Sequence, residues 1–266
     1  MILLNIDLDN TLIYSYKHDI GTDKIPVEIY EGREISFMTG TTFRRLQKIR
    51  DKVFLVPTST RSIEQYNRID LRIGDITYAL VCNGGVLLVN GKKDPQWYEA
   101  SVQIVKKSIS ELMTAFDLLE KDPRRKFELR FIEELFLFTK CDNPENVVAD
   151  LRQKLNNRMV DVFHNKEKVY VIPAGLTKGN AIMRLRNLLH PDFVIASGDS
   201  EFDISMLHAA DIGIAPHSFR ETYDLDFPLE EMSGRNVFSD ELTETLLRIL
   251  QIENGGTEIE KQFNLL

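Results

Sequence analysis

The sequence predicts an α/β protein: a parallel sheet with helices on its faces, interrupted by an inserted α+β unit. Three observations predict it. Apolar runs alternate with helix-spaced segments at both ends of the chain, the grammar of a parallel sheet. The middle third instead breaks into paired apolar runs joined by turn residues. Three of the outer runs stop at clusters of reactive polar side chains, where such sheets bind ligands.

Residues 2–6, ILLNI, form an apolar run ended by Asp7 and read as a buried strand. Residues 43–49 place Phe43, Leu46 and Ile49 on one helical face. Residues 53–56 are a second strand, stopped by Pro57-Thr58-Ser59, and 63–73 again have helical spacing. Residues 78–82 are a third strand, ending at Asn83-Gly84-Gly85.

The grammar then changes. Residues 86–89, before Asn90-Gly91, look like a hairpin arm, and a helix follows over 102–119. Strand-like runs at 127–132 and 135–139 flank Glu133-Glu134, and 144–155 is helical. Runs at 159–163 and 169–172 enclose a second hairpin turn containing His164, Asn165 and Lys166. After Pro173-Ala174-Gly175 the first grammar returns. Thr177 caps a helix to 189, and 193–196 is a strand ending in Ser197-Gly198-Asp199. Residues 202–210 are helical, 212–215 a strand, and 242–252 a closing helix before a frayed tail at Gly255-Gly256. The expected division is a core in two parts, 1–85 and 174–266, with 86–173 inserted as a lid over the strand ends.

Composition narrows the function classes. With 266 residues, 43% hydrophobic and 28% charged, the chain can bury a core and is not disordered. A formal charge of −8 argues against a general nucleic-acid binder, and Arg124-Arg125-Lys126 reads as a solvated loop. Two cysteines, Cys82 and Cys141, sit in apolar stretches. They exclude a disulfide scaffold and a cysteine-rich zinc site, and imply buried thiols in a reducing cytoplasm. No apolar run reaches the ~18–20 residues a membrane span needs. The N-terminal run lacks a basic flank and is interrupted by Asp7 and Asp9, unlike a secretory signal. The five histidines show no metal-ligand spacing.

The strand ends carry the chemistry. Asp7-Leu8-Asp9-Asn10-Thr11, Thr58-Ser59-Thr60-Arg61 and Gly198-Asp199-Ser200 would converge if their strands are neighbours, with Lys178 opening a helix nearby. Three carboxylates, a hydroxyl and an ammonium suit Mg²⁺, which prefers oxygen ligands. One carboxylate can attack phosphorus, and a second, two residues on, can protonate the leaving alcohol and then activate water. The first must be ionised and the second must hold a proton.

DLDNTL after an apolar strand, a hydroxyl after the second strand, a later lysine and GDSEFD together resemble the haloacid dehalogenase superfamily. The GDS-x-x-D form, Asn83-Gly84-Gly85 and the insertion after it are similar to the branch with a type IIB cap, which includes sucrose-phosphate, mannosyl-phosphoglycerate and bacterial sugar phosphatases. The resemblance implies a Rossmann-like core with an inserted α+β cap, and a Mg²⁺-dependent phosphomonoester hydrolase working through an aspartyl-phosphate on a sugar phosphate. It implies Asp7 as nucleophile and Asp9 as general acid/base, with the Asp9 carbonyl on the metal. It implies Lys178 as the cation beside nucleophile and phosphoryl group, and Asp199 as metal ligand with Asp203 as its outer or water-mediated partner; the four-residue spacing puts both on one helix face if a helix starts at Ser200. The branch has Thr-Gly-Arg where this chain has Ser59-Thr60-Arg61, so Ser59 is the favoured phosphate-binding hydroxyl, with Thr58 as the alternative. Thr60 replaces a glycine and removes an easy backbone approach. Thr60, Arg61 and Asn83 are further substrate-binding candidates, and His164, Asn165 and Lys166 are candidates on the lid, unless they form a solvated turn.

The expected partner is a small phosphorylated metabolite, with no nucleic acid and no membrane, and the protein a monomer or small homo-oligomer. A phosphohexomutase-like phosphotransferase and a non-catalytic sugar-phosphate sensor are the alternatives. A metal-binding D-x-D glycosyltransferase would leave GDSEFD without a purpose.

Overall fold

Five parallel strands lie in the order Glu230–Glu231, Ile212–Ala215, Phe193–Ser197, Ile2–Ile6, Phe54–Pro57. The structure, a computed structural model, describes residues 1–253, with side chains to 250; Gly255-Gly256 lie outside the described residues. Alternation along Ile2–Ile6 sends Leu4 and Ile6 to one face, packed with Leu46 and Ile49 of helix Gly40–Ile49 and Leu242 and Leu246 of helix Phe238–Glu253. Leu3 faces the other way, into Ile182 and Leu185 of helix Lys178–Leu189. Both faces are covered, which is why the strand reads as an unbroken apolar run.

The strand order sets the site. Ile2–Ile6 lies between Phe54–Pro57 and Phe193–Ser197, so their carboxyl ends are adjacent. The ladder runs on into the loops: Asp7 N donates to Ser197 O and Thr58 N to Ile6 O, both at 2.8 Å.

A four-stranded antiparallel sheet forms within residues 86–173, in the order Val160–Asn165, Lys168–Pro173, Phe136–Lys140, Arg130–Ile132. Helices Pro95–Glu120 and Pro144–Lys154 pack behind it through Val105, Leu112, Ala115, Val147 and Leu151. The first begins seven residues before the apolar spacing predicts, because Asp94 accepts from Trp97 N and Pro95 occupies the first turn. The chain passes between the sheets near Asn83 and Leu176, and Asn83 Nδ2 ties the two crossings by donating to Leu176 O at 2.7 Å. Trp97 Nε1 donates to Gly84 O, and the Arg184 guanidinium lies 3.8 Å over the Trp97 ring. Gly84 has φ +82°, and a Cβ there would meet the Ala181 Cβ at 2.4 Å.

Several elements differ from expectation. Tyr78–Val81 touches the parallel sheet through a Thr58–Leu80 bridge and otherwise forms an antiparallel sheet with Val86–Val89 and Lys92–Lys93. The cause is the turn between them, where Cys82, Asn83 and Gly84 all have positive φ and reverse the chain. In 63–73 only Ile63–Tyr66 is helical, held by a Ser62–Gln65 capping box. The remainder leaves the helix because Ile69 and Asp70 bind the backbone of a unit absent from the sequence reading. That unit, in residues 12–42, is the antiparallel sheet Tyr14–Ser15, Arg33–Thr39, Lys24–Tyr30. Its register shifts around Glu28 blur the period-two signal, though Glu31-Gly32, both with positive φ, is a recognisable hairpin turn. Residues 202–210 are divided into a 3₁₀ turn, Glu201–Asp203, and a helix, Ile204–Ala209. His164, Asn165 and Lys168 lie in strands, leaving Lys166-Glu167 as the turn.

Cys82 and Cys141 are buried and unpaired, and burial pushes their thiols up to about 12 and about 11. Among the described residues no helix is long and apolar enough to cross a membrane.

Candidate active site

Lys178 holds the site together. It is the first residue of its helix, capped by Thr177, whose side chain accepts from Asn180 N at 3.1 Å. Its side chain is 1% exposed, and Nζ lies 2.6 Å from Asp7 Oδ1 and 2.5 Å from Asp203 Oδ1. Asp199 completes the group: one oxygen each of Asp7, Asp199 and Asp203 lie within 4.8 Å of one another. Thr11, from the same loop as Asp7, donates to Asp199 Oδ1 at 3.3 Å.

Asp199 and Asp203 do not share a helix face. Asp199 precedes the 3₁₀ turn, and Asp203 reaches back, its Oδ2 accepting from Asp199 N, Ser200 N and Ser200 Oγ at 2.8–3.1 Å. With Oδ1 on Lys178, both Asp203 oxygens are engaged, so it orients the loop and the lysine. Gly198 permits this approach: a Cβ there would meet Asp203 Cγ at 2.3 Å.

The second strand end separates two hydroxyls the sequence left open. Thr58 Oγ1 is turned into the sheet, accepting from Asn5 Nδ2 at 3.0 Å and donating to Val56 O at 3.1 Å. Ser59 Oγ accepts from Arg61 N at 3.2 Å, which leaves its O–H to donate elsewhere. Arg61 grips Asp9, Nε and one terminal nitrogen meeting its two oxygens at 2.7 and 2.8 Å. The other terminal nitrogen meets Glu28 at 2.9 Å. The guanidinium is thus directed at protein carboxylates and not at an open phosphate position. Glu28, from the unpredicted sheet, also binds Arg68 at 3.1 Å and Ser36 at 2.6 Å.

Electrostatics reverse the order expected for the two candidate catalytic carboxylates. Burial pushes Asp7 well above the usual range, and although Lys178 lowers it, Asp203, Asp199 and Asp9 add to the rise. Asp199 is pushed up to about 7, by burial and then Asp203. Asp9 sits below the usual range, since the Arg61 hydrogen bonds and charge outweigh its burial. Lys178 moves up despite burial, because Asp203 and Asp7 offset it. An all-oxygen cluster short of one positive centre is what a divalent cation corrects, and with one between Asp7 and Asp199 both would be ionised. The residues therefore fit Mg²⁺.

This fixes a sign. Asp7 and Asp199 have raised folded-state values, so their contribution to stability is full below about 3.8 and lost as pH rises toward about 7. Glu241, pulled down to about 2 by hydrogen bonds from Ser233 and the 234–236 amides against its burial, works in the opposite direction below 4.5, outside that window. In EDTA the melting temperature should fall between pH 5 and 8. Added Mg²⁺ should raise it more at pH 8 than at pH 5. A Mg²⁺ effect that does not grow with pH would contradict the cluster as a metal site.

Between this centre and the antiparallel sheet lies a cleft of about 480 Å³, lined by Asp9, Thr60, Arg61 and Glu28 on one side and Phe138, Lys140, Lys168 and Tyr170 on the other. Asn83 is elsewhere: it lines a separate cavity of about 310 Å³ beside Phe202 and His208. His164 has the parity of buried Val160 and Val162, so it faces away from the cleft. Asn165 has the cleft-facing parity, and Lys166 is in the exposed turn. Glu28, Arg68, Lys140 and Lys168 escaped the sequence reading because charged residues on irregular or exposed strands look like solvated surface. The signal that marks the two lysines is their cross-strand meeting, which only the strand register shows.

A parallel α/β sheet with these strand-end carboxylates, a buried lysine and an inserted antiparallel sheet defines a haloacid dehalogenase-like hydrolase fold. The family model for haloacid dehalogenase-like hydrolases matches residues 105–222 of this chain. It is 26% identical over 223 residues to a bifunctional trehalose-6-phosphate synthase/phosphatase of Thermoproteus tenax, covering 78% of this chain and 27% of that protein. It is 25% identical over 142 residues to a phosphoglycolate phosphatase of Sulfurisphaera tokodaii, 51% of this chain and 54% of the other. The chain thus spans about half or less of these relatives' lengths. In fold it is similar to the sucrose-phosphatase of Synechocystis solved with sucrose and phosphate: TM-score 0.65, 17% identity, 93% of this chain and 97% of that one. It is also similar to a haloacid dehalogenase subclass IIB sugar phosphatase, with TM-score 0.60, 15% identity, and 94% and 99% coverage.

Proposed function

We propose that the protein is a Mg²⁺-dependent phosphomonoester hydrolase that acts on a sugar phosphate through an aspartyl-phosphate on Asp7, with residues 86–173 as its cap. The observation that carries this is the Lys178 ammonium between Asp7 and Asp203, buried beside Asp199. The phosphatase names of the relatives and fold neighbours support the reaction class and the sugar phosphate.

Asp7, Asp199 and the Asp9 carbonyl would hold the metal, which when bound supplies charge neutralisation at the phosphoryl oxygens. Asp7 attacks phosphorus; the Asp7 O–P bond forms as the P–O bond to the alcohol breaks, and Asp9 gives the alcohol its proton. Asp9 then removes a proton from water, which attacks the same phosphorus and frees Asp7 and inorganic phosphate. Lys178 and the Ser59 hydroxyl donate to the phosphoryl oxygens, where charge builds in both transition states. Asp9 can carry its proton only when the Arg61 grip loosens. Arg61→Gln should therefore raise the Asp9 pKa and move the basic limb of kcat/KM, which reports a protonated acid, to higher pH. A pH–rate profile checks this; a limb that stays put would remove Asp9 from the proton transfer.

The deciding experiment is release of inorganic phosphate with Mg²⁺ across p-nitrophenyl phosphate, sugar phosphates, glycerate phosphates and nucleotides. Turnover yielding free phosphate supports the hydrolase. An isomeric phosphorylated product without free phosphate indicates a mutase, and no turnover of any ester indicates a sensor.

A further inference from the structure

Lys140 and Lys168 are register partners on adjacent antiparallel strands. Like charges directly opposite destabilise a sheet. Among the described residues neither ammonium has an ion-pair partner, and Lys140 overlies the Phe127 ring at 5.3 Å. The acids at that end of the sheet, Asp142 and Glu167, face Lys126 instead, at 2.6 and 3.9 Å. Burial lowers the Lys168 pKa, with Arg61 and Lys140 adding to this against the pull of Asp9.

The whole cleft shows the same imbalance. Its lining carries Arg61, Arg68, Arg130, Lys140 and Lys168 against Asp9 and Glu28, in a protein of formal charge −8. Both acids are already engaged, Asp9 by Arg61 and Glu28 by Arg61 and Arg68. Lys178 and the carboxylate cluster belong to the transferred phosphoryl group, so the cap lysines are surplus to it. Two residues along the same strands, and so on the same face as the lysines, the register pair Phe138 and Tyr170 gives the cleft an aromatic floor, with ring centroids 5.2 Å apart. Such a floor takes the C–H face of a polyol or sugar.

We propose that the cleft selects a phosphomonoester whose alcohol portion carries its own anionic group, a carboxylate or a second phosphate, seated on Lys140 and Lys168 with the intervening polyol over Phe138 and Tyr170. As a statement about turnover this rests on the phosphatase reading; as a statement about binding it does not.

Two matched pairs of esters test it: 6-phosphogluconate against glucose 6-phosphate for a carboxylate, and fructose 1,6-bisphosphate against fructose 6-phosphate for a phosphate. In at least one pair kcat/KM should favour the doubly anionic member by about tenfold or more, the equivalent of about 1.4 kcal/mol. In Lys140→Met, Lys168→Met and the double variant that ratio should collapse toward one, chiefly through KM. Binding of the same pairs to Asp7→Asn protein with Mg²⁺, measured by calorimetry, should show the same preference and the same collapse. If the wild type hydrolyses no ester, the phosphatase reading fails and the calorimetric ratio still judges the subsite. The double variant should also melt higher than wild type, because it removes a like-charge pair; a purely structural role would lower it. A ratio near one in both pairs, or a preference that survives both substitutions, overturns the proposal.

Discussion

Asp7→Asn is expected to lose at least about a thousandfold in kcat while keeping its fold, the scale on which removal of a nucleophile acts. The change is nearly isosteric, and the amide oxygen can still accept from Lys178, which now meets Asp7 Oδ1 at 2.6 Å. The fold should tolerate it for a further reason. Burial and the charges of Asp203 and Asp199 already disfavour the Asp7 carboxylate, so a neutral group removes a repulsion. In EDTA at pH 8 the variant should melt no lower than wild type. Asp9→Asn differs in kind: the nucleophile survives, but water is no longer activated, and a phosphoryl adduct on Asp7 should accumulate and be visible by mass spectrometry. Phosphate release from Asp7→Asn within tenfold of wild type would end the covalent mechanism.

The sequence made the centre legible because its residues are fixed by short spacings at strand ends. Asp7 follows a strand that must be buried, and Gly198-Asp199-Ser200 follows another; once those strands are neighbours, convergence is unavoidable. Lys178 was legible as the residue after a capping threonine. The Ser59–Thr58 ambiguity was not, because both hydroxyls flank one turn and only the acceptor at Val56 shows which is turned inward. The placement of Asp203 on the same helix face as Asp199 does not hold, for a geometric reason. A four-residue spacing implies one helix face only if the helix is continuous, and here a 3₁₀ turn intervenes. The sheet in residues 12–42 was missed because irregular register hides alternation, and with it went Glu28, the anchor of Arg61. The basic face of the antiparallel sheet within residues 86–173 depends on which strands pair, a non-local fact that no window of sequence contains.

Lys178→Met should disable both the chemistry and the fold, and the two losses should separate on adding metal. The lysine is buried and bridges two carboxylates, so its removal leaves them unpaired in a site closed to water. Breaking a buried ion pair in this way costs about 3–5 kcal/mol. For a chain of this size that lowers the melting temperature by of order 10 °C. Methionine matches the aliphatic stem, so cavity formation contributes little and the loss reports charge. Mg²⁺ can neutralise the abandoned carboxylates and should recover part of the melting temperature. It should not recover turnover, because a cation held by Asp7 and Asp199 would not replace the N–H donors that Lys178 supplies between Asp7 and Asp203. The expected result is a variant that Mg²⁺ stabilises but that stays at least about a hundredfold below wild type in kcat, the range seen when one preorganised donor is removed. Activity that returns with stability would make the lysine a scaffold for the carboxylates and remove it from the transition state.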